Sequence, residues 1–140
     1  KAYGLAALRV GYALSSAQIA DVLNRVRQPF NVNSLALAAA CAALDDADYL
    51  AQSRQLNDAG MAQLEAGLRE LGLSWIPSKG NFIAVDFGRD TAAINQALLR
   101  AGVIVRPVAG YGMPNFLRVS IGLPAENARF LDALAKVLSA

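Results

Sequence analysis

Lys1-Ala2-Tyr3-Gly4-Leu5-Ala6-Ala7-Leu8-Arg9 runs directly into Val10-Gly11-Tyr12. An amine-bearing side chain is followed by a loop of small residues and then by an arginine entering an apolar segment. Leu8, Val10, Tyr12 and Leu14 fall on one face, with Arg9, Gly11 and Ala13 on the other, which predicts a strand over 8–14. A guanidinium on such a strand requires an anion. Its planar fork fits a phosphate in bidentate fashion and stays charged at any working pH, whereas an ion pair with a carboxylate is the alternative. An ordinary lysine, with a pKa of about 10.4, is a poor base until burial or a cationic neighbour lowers that value. For Lys1 the two readings are an exposed ammonium and an amine that attacks a carbonyl group.

Working outward, the 140 residues suit one domain, or a domain plus part of another. A hydrophobic fraction of 55% against 17% charged residues describes a chain with a buried core. The net charge of +2 and the scattered arginines give no footprint for nucleic acid. With no histidine, Ser-His-Asp and Cys-His triads are excluded and a transition-metal site is disfavoured, so no metal is expected. Cys41 sits in an alanine-rich run and reads as an inert buried thiol. No stretch is apolar for long enough to cross a bilayer and no signal peptide precedes Lys1, which predicts a cytoplasmic protein with no membrane partner.

Ser15-Ser16 predicts a cap for a short helix to about Val26, and Ser34 a cap for a helix apolar on every side to Leu44. A long helix follows to Leu71, with Met61, Leu64, Leu68 and Leu71 on one face and Gly72 as its stop. Strands are predicted at 81–87, 103–106 and 116–121, with helices opening at Asp90-Thr91 and Pro124. The loop through Gly110 and Gly112 has the composition of a flap. The fold class is α/β in three parts. Residues 1–46 are the end of a large domain whose other strands are absent, 47–72 an interdomain helix, and 73–140 a small α+β domain.

Arg118, in Phe116-Leu117-Arg118-Val119-Ser120-Ile121-Gly122, points away from the apolar face and reads either as a carboxylate clamp or as a salt bridge. Arg106 ends the neighbouring strand and either reaches a second anionic group or lies free at an edge. Asn31, Asn33 and Tyr111 are loop polar groups that serve equally as turn formers or ligands. The Asp45, Asp46 and Asp48 cluster lacks metal-loop spacing.

Together these segments resemble the fold-type I pyridoxal-phosphate-dependent aminotransferases, most closely the histidinol-phosphate branch. The resemblance covers essentially the whole chain. It rests on the Lys1–Tyr12 stretch, Arg27-Gln28-Pro29-Phe30-Asn31-Val32-Asn33, Gly80-Asn81-Phe82-Ile83, Val105-Arg106-Pro107 and Leu117–Gly122. It implies Lys1 as the catalytic Schiff-base lysine, Arg9 as a ligand of the cofactor phosphate, and Arg118 with Arg106 as the substrate-binding pair. It also implies pyridoxal 5'-phosphate as cofactor, and amino transfer from glutamate to imidazole-acetol phosphate in histidine biosynthesis. The implied partners are a small-molecule amino donor, a phosphorylated keto substrate and a second subunit in a homodimer.

One departure limits this expectation. The aspartate that meets the cofactor ring nitrogen lies upstream of the lysine in the family and has no counterpart here. The chain alone is therefore expected to be inactive without a missing N-terminal half. Ala7, where the family more often has glycine, is a smaller departure. The competing readings are an aromatic amino-acid aminotransferase, a phosphothreonine decarboxylase, and a non-catalytic dimerisation or packing domain.

Overall fold

The computed structural model describes residues 2–139, so Lys1 lies outside the described residues. The chain divides into two compact units, Lys1–Arg54 and Gln55–Ala140. The division falls within its longest helix.

The first unit holds a short 3-10 turn at Ala6–Leu8 and the helices α1 (Ala17–Val26) and α2 (Ser34–Asp45). It ends in the first turns of α3 (Ala47–Glu70). The Ser16 side chain accepts from the Ile19 N–H to open α1, as its position predicts. Asn33, rather than Ser34, caps α2, accepting from the Ala36 N–H at 2.8 Å. Asp46 both ends α2 and starts α3, where its carboxylate accepts from the Tyr49 N–H at 2.9 Å.

The strand expected over 8–14 is not formed. Backbone N–H and C=O groups need partners, and among the described residues no segment pairs with this one. The chain turns locally instead: Leu8 N donates to Leu5 O at 3.1 Å and Arg9 N to Ala6 O at 3.3 Å. Cys41 is exposed rather than buried, since none of the described residues of this unit covers its side of α2.

The second unit is a four-stranded antiparallel sheet in the order β1-β2-β4-β3, with β1 Ser74–Ile76, β2 Phe82–Asp86, β3 Arg106–Pro107 and β4 Phe116–Ser120. Ile83 and Val85 alternate with Leu117 and Val119 on its covered face. Leu64 and Leu68 of α3, Ile94 and Leu98 of α4 (Ala92–Arg100), and Phe130 and Leu134 of α5 (Pro124–Ser139) complete the core.

Helix α3 ends where the sequence predicts. Gly72 takes φ +69, its N–H bonds Arg69 O at 3.0 Å, and Leu73 N bonds Leu68 O at 3.0 Å. This satisfies carbonyls the helix would otherwise leave open. Gly67 lets α3 and α5 meet, since a Cβ there would lie 2.5 Å from Leu131 Cδ1.

At the start of α5, Glu126 accepts from Leu123 N at 2.8 Å and Pro124 fills the first turn. Buried Asn127 accepts from Gly122 N at 2.9 Å and donates to Gln63 Oε1 at 3.1 Å and Gly122 O at 3.2 Å. These bonds join α3, α5 and the end of β4.

The strand expected at 103–106 contracts to Arg106–Pro107. Val103 and Val105 pack on the core while their backbone stays outside the ladder. The edge strand β1 is an element that the sequence pattern does not signal. Among the described residues, no helix is long and apolar enough to cross a membrane.

Candidate functional site

The uncovered face of the second unit's sheet carries the candidate chemistry. Alternation along β2 and β4 sends Phe82, Ala84 and Asp86, with Phe116, Arg118 and Ser120, to the side opposite Leu117 and Val119. In register, Ala84 stands beside Arg118, and Arg118 stands beside Arg106 on β3. The sheet thus sets two guanidinium-bearing residues directly opposite each other on one face.

Like charges at paired positions destabilise a sheet unless something of opposite charge lies between them. Among the described residues, neither arginine meets a carboxylate within a hydrogen bond. Arg118 lies with Cζ 4.7 Å from the centroid of the Phe82 ring, a cation–π contact that holds its plane. Its Nε is buried with no hydrogen-bond partner. A buried charged donor without an acceptor is costly, and an anion at this face would relieve it. Ala84, paired with Arg118 across β2 and β4, presents only a methyl group beside it.

Arg106 is exposed and donates from Nη2 to Tyr111 Oη at 3.0 Å. The placing of Arg118 on the polar face and its cross-strand pairing with Arg106 are compatible with the single substrate anion site that the resemblance implies for the two arginines. Phe82 is one of the members of this face to which the sequence alone assigned no role, and the one that meets Arg118. Its alternation with Ile83 and Val85 was a usable signal, but its closeness to Arg118 depends on the β2–β4 register.

In the first unit, Arg9 is exposed and sits at φ 55, with Nη1 donating to Ala6 O at 2.9 Å. Its remaining N–H donors have no partner among the described residues, so the fork is available to a phosphate. Asn33 is spent on the α2 cap, and Asn31 accepts from Arg27 Nη1 at 3.2 Å. Asn33 thus acts as a backbone cap, whereas Asn31 binds a side chain.

The model of the aminotransferase class I and II family matches residues 1–134. The chain belongs to this family. A histidinol-phosphate aminotransferase 2 of Pseudomonas aeruginosa is 82% identical over 99% of the chain and 38% of its own length. One from Stutzerimonas stutzeri is 65% identical over 99% of the chain and 37% of its own length. Among solved structures, histidinol-phosphate aminotransferase from Sinorhizobium meliloti in complex with pyridoxal-5'-phosphate superposes with a TM-score of 0.87. It is 34% identical and is matched over 99% of this chain and 39% of its own. The chain thus spans well under half the length of the relatives it matches.

Within the family, the helices and small antiparallel sheet seen here are part of the type I aminotransferase architecture, in agreement with the expected α/β class.

Proposed function

We propose that this chain is part of a pyridoxal-phosphate-dependent histidinol-phosphate aminotransferase, a cytoplasmic homodimer of histidine biosynthesis. It moves an amino group between glutamate and imidazole-acetol phosphate. The observation that carries the substrate class is the cross-strand pair Arg106 and Arg118, with the buried, unpartnered Nε of Arg118. Two facing guanidinium groups suit a phosphate dianion better than a single carboxylate. The names of the Pseudomonas aeruginosa and Stutzerimonas stutzeri relatives support the same substrate.

When bound, pyridoxal phosphate supplies an electron sink for charge developing at the substrate Cα. The residues of this chain do the holding and the proton transfer. Lys1 Nζ anchors the cofactor and carries the proton at Cα. Arg9 offers its free donors to the cofactor phosphate, as its exposed fork permits. Arg118 and Arg106 orient the substrate by its phosphate, and Phe82 holds the Arg118 plane in place. The interdomain role expected for residues 47–72 belongs to the same proposal. Activity is assigned to a polypeptide that also supplies the portion of the relatives not spanned here.

The test is to complete this chain with the N-terminal portion of the Pseudomonas aeruginosa relative and assay amino transfer from glutamate. Turnover with imidazole-acetol phosphate is expected, and Arg106→Ala should raise its KM about ten- to hundredfold. Turnover with phenylpyruvate should change little in the same variant. Equal losses with both acceptors would replace this reading by an aromatic amino-acid aminotransferase. No turnover with either acceptor, in a folded protein that binds pyridoxal phosphate, would remove the aminotransferase reading.

A further inference from the structure

Arg106 lies on an exposed, two-residue edge strand, so packing does little to fix its long side chain. Among the described residues, Tyr111 holds it. Arg106 Nη2 donates to Tyr111 Oη at 3.0 Å, and Arg106 Cζ lies 6.0 Å from the Tyr111 ring centroid. Tyr111 is itself carried on a built turn. The 3-10 segment Ala109–Tyr111 closes through Tyr111 N to Val108 O and Gly112 N to Ala109 O, both 2.9 Å. Val108, just before it, is buried.

The segment is pinned on both sides. Pro107 pairs with Leu117 in the sheet, and Pro114 O accepts from Thr91 N at 3.1 Å and from Thr91 Oγ1 at 2.9 Å. A residue on such a frame can hold a neighbour in place.

We infer that Tyr111 is a positioning residue of the anion site, holding the Arg106 fork opposite Arg118 so that the pair selects a phosphate dianion over a carboxylate. The inference rests on the anion-site reading of Arg106 and Arg118 given above. A carboxylate carries one negative charge, which one guanidinium can match. A phosphate monoester near neutral pH carries close to two, because its second pKa is about 6. Arg118 is common to both cases, so Arg106 and whatever orients it carry the difference. Having accepted from Arg106, the Tyr111 hydroxyl keeps its own O–H to donate to an anion oxygen. A hydroxyl that already accepts a charged donor is polarised toward giving that hydrogen bond.

The experiment follows the arginine Nε–Hε signals of the full 140-residue chain by NMR while inorganic phosphate or acetate is added. It is run on the parent, Tyr111→Phe, Arg106→Gln and Arg118→Gln. Tyr111→Phe keeps the ring and removes only the hydroxyl. It should weaken phosphate about three- to tenfold while leaving acetate within about twofold. The amide signals of Leu117 and Val119 report that the sheet is intact.

Unchanged phosphate affinity in Tyr111→Phe, with binding lost in Arg118→Gln, overturns the role of Tyr111 and leaves the anion site standing. Equal weakening of both anions by Tyr111→Phe marks a merely structural effect and also overturns it. Phosphate that does not bind the parent, or binds Arg118→Gln equally well, overturns the anion site and the inference together.

Discussion

The two units handle similar apolar residues in opposite ways. In the second, Leu64, Leu68, Ile83, Leu98, Leu117 and Leu134 are fully buried. In the first, the only buried hydrophobic residue among those described is Ala36. Ile19, Val22, Leu23 and Val26 make a regular stripe along α1, yet each is more than half exposed. Patterning is therefore present in both units and closure in only one. An amphipathic stripe states that a helix has an inward side, and whether that side is covered depends on elements that other sequence must supply.

The contrast makes Leu117→Ala the most damaging of the changes considered. It removes fully buried methyl groups from a closed core and should cost about 2–5 kcal/mol, read as a lower denaturation midpoint of the second unit. The matching truncation on α1, Leu23→Ala, should stay within about 0.5 kcal/mol in the same titration. A large effect there would show that the first unit closes after all.

Asn127→Ala should cost about 1–3 kcal/mol, because Gln63 and the Gly122 backbone lose buried partners. Gly67→Ala brings a methyl into Leu131 and should cost about 1–3 kcal/mol, unless Leu131 moves aside.

A further small change has the opposite sign. Arg106→Gln should stabilise the phosphate-free chain by about 0.2–1 kcal/mol at low ionic strength by removing a like charge opposite Arg118. That gain should shrink as salt screens the pair. Thermal unfolding at two salt concentrations distinguishes this from a packing effect, which salt would not alter.

Much of the second unit was legible in the sequence because its signals are local. The alternation of Phe116–Ser120, the stop at Gly72 and the Pro124 start each depend on a few adjacent residues, and each is found in the structure. Signals that depend on a distant partner failed or stayed incomplete. The alternation at 8–14 is as regular as that of β4, but nothing among the described residues supplies its hydrogen bonds. Strand β1 is three residues long between Gly72 and Pro77, too short for a periodic signal.

For the site, the residue types at positions 106 and 118 pointed to anion binding. Their facing arrangement could not be read, because it is set by the register of β3 on β4. The bond from Arg106 to Tyr111 was equally invisible, since it depends on how the intervening turn folds back.

The brevity of β3 has a consequence for association between molecules. An edge strand invites another chain to extend the sheet through its unpaired N–H and C=O groups. Here that edge is two residues long, one of them charged and the other a proline with no N–H to give. Strand addition is thus blocked beside the arginine pair, leaving that rim open to small anions. Aggregation of the isolated chain should begin instead on the greasy side of α1, so a polar substitution at Val22 should improve solubility more than any change at the sheet edge.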